Sequence, residues 1–235
     1  MRIPSCYMEI EQVFLQLEQH DCHSLCITST NPGEGVSSLA QALTERHLLA
    51  GYRTLLVDLN LQHPSLFSLS LPQTTLTTDD SPTHYLSTIE NSSQVISGVP
   101  VPNNRSKILE LRQPKKLQEQ IEIWRNEFDK IIIDSTAISQ LNANNIPAQS
   151  IAGCCDGTIM VVLSGQTLHT ELKDSLKSLE NHGAHLIGHV FNDKYQPSLK
   201  NEICREIERL RFLPAFLSTK LISAIQNNRF LSTVV

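Results

Sequence analysis

The chain contains five short runs in which apolar residues follow one another without alternating with polar ones. A strand with one wet face alternates with period two, whereas a strand covered on both faces is apolar throughout. Each run spans five to eight residues, the length of a strand rather than of a helix. The predicted buried strands are residues 24–29, 53–58, 130–134, 158–163 and 184–191.

Segments with helical periodicity separate these runs. In residues 8–19, Ile10, Phe14 and Leu17 recur at the spacing of one helix face. The same period predicts further helices over residues 37–50, 114–128, 145–153 and 167–182. Because strands alternate with helices, the pattern predicts a doubly wound α/β fold with a mostly parallel sheet and helices on both faces.

The pattern weakens in the stretch between the second and third of these strands. Residues 66–71 are apolar, and residues 72–83 predict a loop because they are rich in Thr, Ser, Asp and Pro. Residues 84–90 are compatible with a short helix, and residues 95–101 with a further strand.

Composition narrows the classes of function. A formal net charge of −5 and an aromatic content of 5% predict no nucleic-acid-binding surface. No apolar run reaches the ~18 residues of a membrane-spanning helix, and the N-terminus turns acidic too early for a signal peptide. Six cysteines are too sparse for a disulfide framework, so reduced thiols and a cytoplasmic location are expected.

The loop after the first strand carries most of a phosphate-binding motif. The pattern G-x-x-x-x-G-K-[ST] cradles phosphates with backbone N–H groups, adds a lysine and holds Mg²⁺ with a hydroxyl. Here Gly33 and Gly35 provide the cradle and Ser37 provides the hydroxyl, while Thr30 stands at the leading glycine. Val36 occupies the lysine position. The loop therefore predicts nucleotide binding without the usual cation.

Two further strands end in aspartate, at Asp58 and Asp134. In doubly wound sheets, ligands bind beyond the carboxyl ends of the strands, so both side chains should face the loop. Ser37, Asp58 and Asp134 are the predicted Mg²⁺ ligands, and the two aspartates are the only catalytic candidates if the chain is active. The predicted nucleotide contacts in the loop are Gly33, Glu34, Gly35, Val36, Ser37 and Ser38.

Three segments of the chain resemble the nucleotide motifs of bacterial P-loop tyrosine kinases, within the MinD/ParA superfamily. They are P-G-E-G-x-S-S, T-L-L-V-D-L-N-L-Q-H-P and F-D-K-I-I-I-D-S-T-A, and the similarity extends from the first helix to about Asn192. These kinases are cytoplasmic partners or domains of capsule and exopolysaccharide chain-length regulators. The resemblance implies a P-loop NTPase fold, ATP or ADP with Mg²⁺, and an adenine contact at Asn192.

The resemblance also implies partners. It implies binding to the cytoplasmic segment of a membrane polysaccharide chain-length regulator, and it is compatible with a homo-oligomer. A cytoplasmic protein with this partner would lie at the inner face of the cell membrane.

The departures from the family pattern concern catalysis and assembly. Val36 replaces the lysine, and Asn60 and Gln62 replace an Asp and an Arg of the second motif. The N-terminal E-x-x-R-x-x-R of ring assembly is missing, and so is the C-terminal tyrosine cluster, since Tyr195 is the last tyrosine. Losing a charged phosphate contact costs about 1.5–3 kcal/mol of binding, and losing a transition-state cation costs ~10²–10³ in rate. We therefore expect a degenerate, non-catalytic or weakly nucleotide-binding regulator or adaptor.

Three alternatives stay open. One is an active tyrosine kinase that draws its cation from elsewhere, for example from Arg105 or Lys107. Another is a MinD/ParA-like positioning ATPase, although the chain lacks an opening K-G-G motif. The third is a scaffold without nucleotide, in which the loop glycines form only a turn and the aspartates only cap neighbouring elements.

The end of the chain differs in charge from the rest, with +4 over residues 194–235 and −9 over residues 1–193. We expect a P-loop NTPase-like domain with its leading helix over residues 1–193, and a helical extension over residues 194–235. The extension carries an apolar stripe of Leu217, Leu221, Ile222 and Ile225. Such a stripe predicts a packed helix; the alternative is a docking element through which residues 214–235 contact a partner or the membrane surface.

Overall fold

The computed structural model describes residues 3–68, 85–89 and 95–194, and four single helical residues further on: Ile203, Ile207, Arg209 and Ile225. The chain divides into two compact units, Met1–Asn192 and Asp193–Val235. The predicted loop over residues 72–83 and most of the predicted helical extension lie outside the described residues. Within the described residues, no helix combines the length and the apolar character needed to cross a membrane.

Eight strands of the first unit form one sheet in the order β3-β4-β5-β2-β6-β1-β7-β8. The six strands from β5 to β8 in this order are parallel, while β4 runs antiparallel to both β3 and β5. The strands are β1 Ser24–Ser29, β2 Thr54–Asp58, β3 Leu66–Ser68, β4 Tyr85–Ile89, β5 Val95–Val99, β6 Lys130–Asp134, β7 Gly157–Leu163 and β8 Leu186–Asn192.

Helices cover both faces of this sheet. They are α1 Met8–Gln19, α2 Val36–Leu49, α3 Arg105–Leu111, α4 Pro114–Glu127, α5 Ala148–Ala152 and α6 His169–Asn181, with a 3-10 turn at Ile138–Gln140. Helix α3 escaped prediction because it has seven residues; the side chain of Asn104 caps it by accepting the N–H of Ser106 at 2.8 Å.

Two apolar clusters lie on opposite faces of the sheet, and β1 contributes to both. Leu25 and Ile27 pack with α1 and α2, whereas Cys26 packs with α4, α5 and α6. All three side chains are at most 3% exposed. Burial on both faces explains why β1, β2, β6 and β7 show no alternation of apolar and polar residues. The prediction of a buried strand over residues 184–191 is wrong in its burial, because β8 ends the sheet and is only partly buried. The predicted doubly wound α/β fold is confirmed.

One predicted element is wrong. Residues 84–90 were expected to form a short helix, but residues 85–89 are strand β4. Leu86 and Ser87 pair antiparallel with Ser97 and Ile96 of β5. Pairing with a neighbouring strand overrides the local helical preference of so short a segment.

Two helices begin later than their periodicity predicts. The expected helix over residues 145–153 spans only Ala148–Ala152, because Pro147 precedes its first turn and Asn145 serves the preceding turn. The expected helix over residues 167–182 begins at His169 because Thr167 binds elsewhere, to the backbone N–H of Leu163.

Replacing Leu43 by alanine should reduce the free energy of unfolding by about 2–5 kcal/mol, because this fully buried α2 side chain packs between helix and sheet. Leu49, on the same helix, is 74% exposed, so Leu49→Ala is the matched control and should change stability by less than about 0.5 kcal/mol. Urea denaturation measures both. Equal losses would contradict the packing described here.

Candidate nucleotide-binding site

The candidate site lies at the carboxyl ends of three adjacent strands, β1, β2 and β6. The sheet register places Asp58 of β2 directly opposite Asp134 of β6, and Asp134 opposite Ile27 of β1. The loop over residues 30–35 leaves β1 and leads into α2. The structure therefore brings together the loop and both strand-end aspartates, as the sequence predicts.

The loop depends on its glycines. Gly33 and Gly35 have φ of 81° and 108°, a region that residues with a Cβ rarely adopt. Helix α2 begins at Val36 without a side-chain cap, so the amide groups of its first turn face outward from the helix end. Ser37 and Ser38 lie half-buried in this turn. A helix N-terminus of this kind fits a phosphate group.

Val36 contributes no charge to this cradle. Its side chain is 7% exposed and belongs to the apolar cluster that contains Leu39 and Ile27. The side chain at the lysine position thus packs into the core beside the first turn of α2. Hydrophobic packing stabilises the start of this helix in place of a contact with phosphate.

Asp58 is fully buried, and backbone groups surround its carboxylate. Oδ2 accepts the N–H groups of Ser65 at 2.7 Å and Leu66 at 3.1 Å, and Oδ1 accepts the N–H of Asn60 at 2.9 Å. Burial raises the pKa of Asp58, and these hydrogen bonds oppose the rise. The carboxylate therefore orders the segment between β2 and β3.

Asp134 is less well satisfied. It is 1% exposed, and its Oδ1 accepts no hydrogen bond of normal geometry within the described residues. Ser65 links the two acids, because its hydroxyl lies 3.5 Å from Asp58 Oδ2 and 3.4 Å from Asp134 Oδ2. Burial and the charge of Asp58 raise the pKa of Asp134 to about 8, while the hydroxyls of Ser37 and Ser65 oppose the rise.

These side chains fit a hard divalent cation. Carboxylate and hydroxyl oxygens are the ligands that Mg²⁺ takes in proteins, and the predicted set of Ser37, Asp58 and Asp134 supplies them. Oδ1 of Asp134 is a buried acceptor that receives no hydrogen bond of normal geometry from the described residues, and a cation would satisfy it. When bound, Mg²⁺ would neutralise phosphate charge at this end of the sheet.

Glu34 and Asn192 take roles that the sequence does not indicate. The Glu34 side chain is 2% exposed and binds within the protein, so only its backbone can serve a ligand. Burial raises the pKa of Glu34. The side chain of Asn192 donates to the carbonyl of Glu34 at 2.8 Å. The predicted adenine contact of Asn192 stays a prediction.

Sequence reasoning missed Ser65 and Thr167. Ser65 directly follows the proline of the second motif, and that position could have drawn attention to it. Thr167 carries no such signal. Lys107, a candidate replacement cation, lies 3.3 Å from both Glu110 and Gln120 and is engaged between α3 and α4.

The glycine loop, the uncapped helix and the strand-end carboxylates define a P-loop protein of the α/β class. No family model matches the chain. The tyrosine-protein kinase CpsD of Streptococcus pneumoniae is 32% identical over 196 residues, which cover 77% of this chain and 83% of CpsD. The chain belongs to the family of bacterial P-loop tyrosine kinases.

A second relative is named for polysaccharide production. The succinoglycan biosynthesis transport protein ExoP of Rhizobium meliloti is 25% identical over 183 residues, which cover 72% of this chain and 22% of ExoP.

Two solved structures share the fold. The kinase domain of VpsO superposes with a TM-score of 0.60 at 21% identity and covers 78% of this chain and 92% of that domain. The septum site-determining protein MinD of Pyrococcus horikoshii, complexed with Mg-ADP, superposes with a TM-score of 0.52 at 19% identity. The match covers 85% of this chain and 77% of the MinD chain. The predicted MinD/ParA-like P-loop fold is confirmed.

Without metal, the protein should become less stable as the pH rises from about 5 to about 8. In this range the folded state keeps a proton on Asp134 that the unfolded chain has already released, so stability falls with rising pH. Urea denaturation in EDTA measures this dependence.

Asp134→Asn should remove most of this dependence, because a neutral amide does not titrate. The exposed Asp174 provides the control, and Asp174→Asn should leave the dependence intact. Mg²⁺ should restore stability to the wild type at about pH 8. A stability that stays flat with pH in EDTA would contradict the strained carboxylate pair.

Proposed function

We propose that this chain is a degenerate member of the tyrosine kinase family, a non-catalytic or weakly nucleotide-binding regulator in capsule or exopolysaccharide biosynthesis or export. The observation that carries the proposal is the position of Val36. A buried valine packs into the core where the motif places its lysine, whereas the glycine turn and both aspartates are retained.

The lack of catalysis follows from electrostatics. Phosphoryl transfer depends on positioning and on positive charge near the transferred group. The groups that bear most on the Asp134 carboxylate are Asp58, Ser37, Ser65 and Asn60, and none of them is a cation. Two carboxylates without a lysine do not provide the positive charge that efficient transfer of a phosphoryl group requires.

The second motif supports the same proposal. Asn60 replaces an acid, and its Oδ1 accepts the N–H of His63 at 3.2 Å. Its backbone N–H donates to Asp58. Asn60 therefore closes a local turn. Gln62 replaces an arginine and is exposed, so it supplies no charge for phosphate.

Nucleotide binding is proposed to survive in weakened form. The turn at Gly33 and Gly35, the uncapped start of α2 and the unpaired Oδ1 of Asp134 suit phosphate and Mg²⁺. A scaffold with no ligand would have little reason to retain an unsatisfied buried carboxylate oxygen, which is costly to bury. We therefore favour ATP or ADP with Mg²⁺ as the ligand.

The proposed partner is the cytoplasmic segment of a membrane polysaccharide chain-length regulator. The family assignment and the likeness to ExoP, a protein named for polysaccharide transport, support it. On this proposal the protein is cytoplasmic and lies at the inner face of the membrane. A peripheral membrane contact through residues 214–235 is the alternative to a packed helix in this segment, and the net charge of −5 favours no nucleic acid.

Calorimetric titration with ATP and Mg²⁺ tests the nucleotide proposal. Val36→Lys should bind at least about tenfold more tightly than the wild type, because it restores a charge-assisted phosphate contact. Val36→Met is the control, since it lengthens the side chain without charge and should bind no better than the wild type.

The same proteins should be assayed for phosphotyrosine after incubation with ATP. Micromolar binding together with phosphotyrosine in the wild type would establish the active kinase instead. Absence of binding in both the wild type and Val36→Lys would establish the scaffold without nucleotide.

A further inference from the structure

One buried carboxylate, that of Glu34, connects the phosphate-binding loop to the interior of the protein. Glu34 Oε2 accepts the N–H of Thr30 at 3.1 Å, and Oε1 accepts the hydroxyl of Thr167 at 2.5 Å. Thr30 is the first residue of the loop, whereas Thr167 lies in the connection between β7 and α6. The carboxylate thus joins two segments that are 133 residues apart along the chain.

The hydroxyl of Thr167 has a fixed direction. It accepts the N–H of Leu163 at 3.2 Å, so its own proton points to Glu34. The backbone N–H of Thr167 donates to the carbonyl of Leu163 at 3.0 Å and closes the turn. The donor that faces Glu34 is therefore set by the end of β7, a strand in the middle of the core.

This arrangement requires a carboxylate at position 34. Both oxygens act as acceptors, one for an N–H group and one for a hydroxyl. Glutamine has a single acceptor oxygen, so if it accepts the N–H of Thr30, the hydroxyl proton of Thr167 loses its acceptor. Aspartate has a shorter side chain by one methylene group. A carboxylate of glutamate length is the group that satisfies both donors at once.

A second bridge runs beside the first. The side-chain amide of Asn31 donates to Glu171 of α6 at 2.9 Å, and Asn192 of β8 donates to the carbonyl of Glu34. The two glycines in this loop restrict the backbone little. The hydrogen bonds between the loop and the neighbouring elements therefore set the shape of the loop.

We infer that Glu34 and Thr167 form a positioning pair that fixes the phosphate cradle for its ligand. This inference rests on the proposed nucleotide site. A loop without its lysine depends on preorganised amide groups for affinity, because a rigid site spends less binding free energy on ordering. The two side chains act by positioning the backbone of residues 30–35 and do not themselves bind the phosphate.

The first test is amide hydrogen exchange of residues 30–38 in the protein without ligand. Thr167→Val keeps the shape of the side chain but removes both hydrogen bonds, and should speed exchange of these amides about tenfold. Thr167→Ser keeps the hydroxyl and should restore slow exchange. Thr170→Val is the matched control, because Thr170 is exposed on α6.

The second test is ATP and Mg²⁺ affinity in the Val36→Lys background, where binding is expected to be strongest. Adding Thr167→Val or Glu34→Gln should weaken binding about tenfold, whereas adding Thr170→Val should not. Combining Thr167→Val with Glu34→Gln should cost less than the sum of the two effects, because both remove the same contact.

Equal exchange in Thr167→Val and Thr170→Val would overturn the inference, and so would faster exchange with unchanged affinity. If no variant binds nucleotide, the proposed nucleotide site fails, and the exchange comparison alone still decides whether the pair holds the loop. Failure of the inference and failure of the proposed function therefore give different results.

Discussion

Two acids buried side by side at the ends of adjacent parallel strands, which resist carrying two charges at once, are the constraint on which the rest of the site depends. The register of β2 and β6 places Asp58 opposite Asp134 in a buried position, and no shift of one side chain can separate them. The chain satisfies Asp58 with backbone donors from the following segment and shares Ser65 between the two acids. Asp134 keeps one oxygen without a donor, so the strain of the pair is concentrated there.

The phosphate-binding loop beside this pair has lost the lysine of the P-loop motif, whereas the pair has kept both of its acids. In a P-loop, a lysine and a metal divide the neutralisation of phosphate between them. With Val36 packed in the core, position 36 supplies no cation, so the helix amides and the proposed metal carry more of the neutralisation of phosphate. The site has therefore lost charge on the phosphate side while the acids that suit a metal remain. Weak nucleotide binding combined with poor catalysis is the physical consequence.

Much of the fold follows from the sequence. The apolar runs located β1, β2, β6, β7 and β8. Burial on both faces explains this pattern for β1, β2, β6 and β7, whereas β8 ends the sheet and its Phe191 is 65% exposed. Parallel strands also forced Asp58 and Asp134 to one edge of the sheet. Strand β4 was mistaken for a helix, since only its pairing with β5 decides its conformation. The contact of Thr167 with Glu34 was unpredictable, because it joins distant segments through one threonine among many.

The loop keeps its conformation although the lysine is missing, so other contacts must hold it. Val36 anchors the start of α2 through the core, and Glu34 anchors the loop from the other side through Thr30 and Thr167. These anchors would hold the same turn in a scaffold without ligand, so the loop alone is weak evidence for nucleotide. The carboxylates argue more strongly. Asn at position 134 would relieve the repulsion at little cost in shape, and an acid there instead favours a site that still receives a cation.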